Sequence, residues 1–239
     1  MAVLSRRPFF IASLASLALL AASCGGDSGP PTSDIVTTIP WQADEQLQYI
    51  LINEDGDRLA EGVLLVDVIG ERTNLAQSFG NATETNRDDL TVNVDSRTLK
   101  PFSSNRRIVN GDEIETIEVT YTEAGALIKQ GDRQSGLTVP EHAYDNDTSL
   151  FLWRTIPFAE GYEASYTTVI TNRRSRHKVV LEVTGKETVT VPAGEFSAWR
   201  LEIRTENAKQ TAWYADTPTR PLVRYDNDRG QFFELVSRP

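Results

Sequence analysis

Side chains able to do acid–base, nucleophilic or metal chemistry are few in this 239-residue chain: two histidines, His142 and His177, one cysteine and one methionine. A Ser-His-Asp arrangement would need one of those histidines, and no G-x-S-x-G elbow accompanies either. The H-E-x-x-H pair, the phosphate-binding loop and the dinucleotide glycine pattern are missing too. So few soft ligands exclude a zinc ribbon, an iron–sulfur cluster or a copper site built within the chain. Asn53-Glu54-Asp55-Gly56-Asp57 and Asp226-Asn227-Asp228-Arg229-Gly230 superficially look like calcium loops, but their glycines stand at the wrong offset and both read better as hairpin turns. A carboxylate pair for glycoside hydrolysis needs two acids facing across a cleft, a placement that 34 acids in a linear chain do not specify. The expectation is a protein without metal, cofactor or catalytic residue, with an enzyme of unrecognised type as the remote alternative.

Two groups of residues suggest binding instead. Phe151, Trp153, Trp199 and Trp213 offer the large contact area that lines an apolar pocket for a lipid or similar ligand, although the same aromatics suit a filled core. Tyr214 has the opposite strand parity from Trp213, so only one of the two can face the interior. Arg173, Arg174, Arg176 and Lys178, with His177 among them, concentrate positive charge at a hairpin, where they could dock anionic headgroups or a polyanionic polymer. The chain otherwise carries a net charge of −10, which falls to −12 without Arg6 and Arg7, so nucleic acid is not an expected partner.

The N-terminus indicates where such a protein would work. Arg6-Arg7 precede an apolar stretch over 9–22 that is too short to cross a bilayer comfortably, which reads as a signal peptide. That stretch ends in Leu20-Ala21-Ala22-Ser23-Cys24 and resembles the bacterial lipoprotein signal, implying acylation of Cys24 and cleavage before it. Ser5-Arg6-Arg7-Pro8-Phe9-Phe10 also resembles a twin-arginine export signal. The following Gly25–Asp34 stretch is polar and rich in Gly, Pro and Ser, a tether that would span roughly 15–20 Å. The expected organisation is therefore a signal peptide over 1–23, a lipid anchor and flexible tether over 24–44, and one β-rich domain over 45–239.

The domain follows from alternation. In 179–191, Val179, Leu181, Val183, Val189 and Val191 share one parity, while Glu182, Thr184, Lys186, Thr188 and Thr190 share the other. Trp199, Leu201 and Ile203 alternate with Arg200, Glu202 and Arg204, and Pro192-Ala193-Gly194 makes the turn between the two runs. Similar runs at 46–52, 62–69, 90–94, 106–109, 114–122, 162–171, 211–215, 222–225 and 231–236 are separated by Asp55-Gly56, Asn110-Gly111, Ala124-Gly125 and Arg229-Gly230. About ten strands joined by hairpins predict a mainly β fold, a single curved antiparallel sheet that forms an open or half barrel. The segment 147–157 breaks the alternation. It starts at a capping residue, is apolar at Leu150, Trp153 and Ile156, and ends at Pro157, which predicts one short helix packed on the concave face.

Gly185-Lys186-Glu187-Thr188-Val189-Thr190-Val191-Pro192-Ala193-Gly194-Glu195-Phe196, followed by Trp199 and Trp213-Tyr214, resembles the V-P-A-G-x-F … W-Y ending of the exported, uncharacterised TapB-like group. Val94-Asp95-Ser96-Arg97-Thr98-Leu99-Lys100-Pro101 and the helix before Pro157 look similar to that group's middle section. The resemblance implies a half-barrel related to the LolA and LppX lipoprotein carriers, whose concave face holds an acyl chain. The reading is thus a non-catalytic lipoprotein, exported and tethered to a membrane through Cys24, that carries a hydrophobic ligand. The rival is a structural or interaction module with a filled interior that presents its convex face to envelope proteins.

Overall fold

The structure, a computed structural model, describes residues 29–206 and 208–237; the export arginines Arg6 and Arg7 and the lipidation candidate Cys24 lie outside the described residues. Strands β1 (Glu45–Asn53), β2 (Arg58–Ile69), β3 (Arg72–Gly80), β4 (Asn86–Asp95), β5 (Pro101–Asn110), β6 (Glu113–Thr122), β7 (Gly125–Gln130) and β8 (Arg133–Leu137) follow one another as hairpins. The chain continues through the short β9 (Ala143–Asp145) and a helical segment centred on α1 (Ser149–Leu152). It returns as β10 (Glu163–Ile170), β11 (Ser175–Val191), β12 (Gly194–Thr205), β13 (Ala208–Ala215), β14 (Leu222–Asp226) and β15 (Gln231–Leu235). β15 pairs with β1, so all strands join one sheet in the order β8-β7-β6-β5-β4-β3-β2-β1-β15-β14-β13-β12-β11-β10-β9. Every pairing is antiparallel except that of β9 with β10. The sheet curves without closing, as the hairpin pattern predicts.

Antiparallel succession gathers the tips of seven hairpins at one end of this curved sheet, β1–β2, β3–β4, β5–β6, β7–β8, β10–β11, β12–β13 and β14–β15. Gly111 and Gly230 occupy two of these tips with φ of +61° and +70°, conformations that cost glycine nothing. The other end is filled. The helical segment runs from Asn146 to Thr155 as a 3₁₀ turn, α1 and a second 3₁₀ turn, and the Asp145 carboxylate caps it by accepting from the Asp147 N–H. Its surroundings differ from the expected stripe: Leu150, Phe151, Leu152, Trp153 and Ile156 are all buried, and Arg154 is 1% exposed. No face of the helix is wet, because it is inserted into the concavity rather than laid over it.

Two further expectations are corrected. The stretch assigned to a flexible tether through residue 44 is packed from Thr32 onward. Thr32 bridges to Ser165 on β10, the Thr37 and Thr38 N–H groups donate to the Thr155 carbonyl, and Ile35 and Trp41 enter the core. Apolar Ile35, Val36, Ile39 and Trp41 provide the burial that the residues before them lack. In β11 the pairing shifts between Val183 and Gly185, where Gly185 has φ +139°. Val183 lies opposite Leu201, but Val189 lies opposite Phe196, so Val189 and Val191 leave the side of the ladder held by Val179, Leu181 and Val183 while staying buried in the same core. A bulge of one residue inverts parity, and alternation counted along the chain cannot register it.

Candidate ligand-binding cavity

Between the helical segment and the hairpin tips the two walls of the sheet do not meet, leaving a cavity of about 400 Å³. Its aromatic side is a chain of rings. Phe79 stacks on Phe233 with centroids 4.7 Å apart, Phe233 on Tyr225 at 5.5 Å, and Tyr225 lies 6.1 Å from Trp153. The Trp153 Nε1–H donates to the Tyr166 hydroxyl at 2.9 Å, satisfying the indole in an apolar setting. Leu90, Val179 and Ile203 add to the apolar lining. Each is an inward position of its strand, and the register brings them together: Gln77 is opposite Leu90, and Tyr225 is opposite Phe233. Gly62 faces Phe79 across β2 and β3, and a Cβ there would overlap the Phe79 ring.

Polar groups on β3, β4 and β5 stand beside Phe79 and Leu90. Arg106 Nε donates to Asp88 Oδ1 at 2.8 Å, a second guanidinium nitrogen reaches Asp88 Oδ2, and a third lies 3.4 Å from Asp147 Oδ1. Gln77 Nε2 donates to the Asp147 carbonyl at 2.5 Å. Behind Asp147, the Tyr121 hydroxyl donates to Asp145 Oδ2 at 2.6 Å. Burial, and then repulsion from Asp147, raises the Asp145 carboxyl above the usual carboxylate range, and burial likewise raises Asp147. At the mouth stand Arg173 and His177 from β10–β11 and Arg229 from β14–β15. His177 Nε2 lies 3.2 Å from Ser175 Oγ, two residues away on the same strand face.

Of the aromatics expected to line a pocket, only Trp153 reaches this cavity. Phe151 is fully buried in the packing around α1. Trp199 lies on the concave side at the filled end, stacked on Phe158 at 6.2 Å, with its Nε1–H donating to Asp216 Oδ1 at 2.9 Å. Trp213 lies opposite Arg200 and Arg224 on the convex face and donates to Glu187, while Tyr214 faces inward and donates to the Leu150 carbonyl at 2.9 Å. The basic hairpin is divided in its roles. Arg174 donates to Ser135 Oγ and Gln130 Oε1, both at 2.8 Å, and Arg176 to the Thr138 carbonyl at 3.0 Å. These two bind the β7–β8 hairpin and draw the sheet edges together, Lys178 is half-buried opposite Thr167, and Arg173 alone of the four borders the cavity. A continuous outward patch of four cations is therefore not what the hairpin presents.

Sequence reasoning missed Phe79, Tyr225, Phe233, Arg106 and Arg229, which come from five strands or tips and share no local motif. Among the described residues no group of three or more His, Cys, Asp or Glu side chains is arranged to hold a metal ion. No described helix is long and apolar enough to cross a membrane.

A curved, nearly closed antiparallel sheet around a helix and a mixed apolar and polar cavity defines a β-barrel-like protein. The chain belongs to DUF3108, a family of proteins of unknown function, whose model matches residues 58–229. No curated protein matches it. Among solved structures it is similar to a β-barrel-like protein of the domain of unknown function DUF1849 from Brucella abortus, with a TM-score of 0.55 and 8% identity over 82% of this chain and 96% of that one. That likeness concerns the fold alone. A candidate lipoprotein from Parabacteroides distasonis, at 13% identity over 86% of this chain and 99% of that one, reaches a TM-score of 0.33. An exported protein with a YmcC-like fold from Bacteroides fragilis, at 13% identity over 85% and 98%, reaches 0.31.

Proposed function

We propose that this chain is an exported lipoprotein, anchored to a membrane through acylated Cys24, that binds a hydrophobic ligand without catalysing a reaction on it. The observation that carries the ligand reading is the cavity of about 400 Å³, within the range of small-molecule sites and bordered by the Phe79–Phe233–Tyr225–Trp153 ring chain. The sequence resemblance to TapB-like half-barrels, and through them to acyl carriers, points the same way. Solvent extraction of the purified protein followed by mass spectrometry, together with uptake of a fluorescent fatty acid, tests the reading. Bound lipid or saturable uptake is expected; an empty extract and no uptake would overturn it. Retention of Arg6 and Arg7 in the mature protein, or absence of a lipid adduct at Cys24, would overturn the anchor.

The second reading is an interaction module for envelope proteins. It draws on the filled end, where Phe151, Leu152 and Ile156 are fully buried and leave no room for a guest. Reproducible co-purification of the same envelope proteins with an unliganded protein would favour it.

A further inference from the structure

We propose that the ligand is a single-chain amphiphile with an anionic head, its tail against the ring chain and its carboxylate or phosphate held at the mouth by Arg173 and Arg229. This rests on the cavity being a ligand site and adds the chemistry of the head.

The cavity borders positive charge that has no internal partner. Of the three arginines that line the cavity, Arg106 pairs with carboxylates, as do Arg58, Arg87, Arg154, Arg200, Arg204 and Arg224 elsewhere. Arg173 and Arg229 border the cavity from two different hairpins, and among the described residues neither is paired with a carboxylate. The acids of the cavity, Asp88 and Asp147, are both held by Arg106. Among the residues that line the cavity, three arginines face two aspartates, before His177 is counted. Gln77, Asp88 and Arg106 sit in register with Leu90 and Phe79, so charged groups and rings border the same space. A neutral lipid would leave the two free guanidinium groups without a counterion, and a small polar anion would leave the rings against water. An amphiphile satisfies both parts, its head making charge-assisted hydrogen bonds to two guanidinium groups.

Arg174 is the internal control. It stands beside Arg173 in sequence, but its guanidinium donates to Ser135 and Gln130 on β7–β8 instead.

The test is displacement of a bound fluorescent fatty acid from the purified protein by dodecanoate, dodecyl phosphate and dodecanol, which share a tail and differ in head. Dodecanoate or dodecyl phosphate is expected to compete about tenfold more strongly than dodecanol, and the better of the two identifies a free fatty acid or a phosphorylated lipid as the source. The double substitution Arg173→Gln/Arg229→Gln should erase most of that preference while leaving dodecanol unchanged, and Arg174→Gln should retain it. Equal competition by all three ligands would overturn the anionic head and leave the cavity reading standing. A preference that survives in the double variant would overturn the role of these two arginines. Failure of the fluorescent probe to bind at all would remove the ligand site and this proposal with it.

Discussion

The two ends of the curved sheet are made from the same strands and differ in what occupies the space between them. At the filled end Arg154 forms two hydrogen bonds to Glu45, at 2.6 and 2.9 Å, donates to the Thr219 carbonyl at 2.5 Å, and lies over the Trp41 ring at 5.1 Å. Arg220 reaches back to the Arg154 and Ile156 carbonyls, and Lys100 joins Asp34 of the N-terminal stretch at 2.5 Å. At the end of the hairpin tips no inserted segment bridges the walls. Strand curvature alone therefore does not decide whether a half-barrel is solid or hollow; the insertion of the helical segment and of residues 32–41 does.

The two ends differ most at Arg154. Its charge is buried and paired, so Arg154→Ala leaves the Glu45 carboxylate without its main partner and should cost about 3–5 kcal/mol in chemical denaturation. Arg173→Gln at the mouth should change stability by no more than about 0.5 kcal/mol. Similar costs at the two positions would mean that the ends are equally integral to the fold.

Core packing sharpens the contrast. Phe151→Ala, in the fully buried end, is expected to cost about 3–5 kcal/mol because the space it vacates has no water to fill it. Phe233→Ala should cost distinctly less, since its ring already borders open volume, and should enlarge the cavity measured by ligand uptake. Gly62→Ala acts oppositely: the new methyl group must push the Phe79 ring away, and fluorescent fatty acid binding should report the change in cavity shape.

What the sequence disclosed follows the same division. Alternating Val, Leu and Ile and the Asp55-Gly56, Asn110-Gly111 and Arg229-Gly230 turns are local signals, and they identified the hairpin sheet. Trp153 was found because helix spacing is local too. The cavity was not legible, since Phe79, Arg106, Tyr225 and Phe233 meet only after the β15–β1 pairing brings the last strand beside the first. Nothing local marks Arg154 as a core residue, because its partner Glu45 lies 109 residues away. Gly185 reads as an ordinary strand residue until its positive φ shows the bulge.

A smaller effect is expected at the buried acids behind the cavity. The Asp145 carboxyl is raised by burial and by Asp147, whereas in the unfolded chain it titrates near an ordinary value of about 3.9. Above that value the folded state still holds a proton that the unfolded state has released, so this group's contribution falls as pH rises through the window up to its raised folded value. Asp145→Asn cannot titrate, and its amide can keep the Asp147 N–H acceptor while turning its N–H toward the Tyr121 oxygen. Relative to the parent, the variant should therefore gain stability from about pH 4 upward, by on the order of 1 kcal/mol. Denaturation midpoints at three pH values check this. A difference that stays constant with pH would show that Asp145 titrates normally.

The smallest effect is expected where the sheet edges approach each other. Arg174, held at φ +51°, and Arg176 join the β10–β11 tip to the β7–β8 hairpin through exposed hydrogen bonds. Contacts of this kind add little to global stability, so Arg174→Ala should leave the denaturation midpoint nearly unchanged. β8 is the sheet edge at this point, and its own pairing is only with β7. Local opening there requires breaking few contacts, so hydrogen exchange of the Arg133–Leu137 amides should speed up in the variant while the amides of β12 are unaffected. Uniform exchange across both strands would mean that the edge is held by the sheet itself rather than by the arginine contacts.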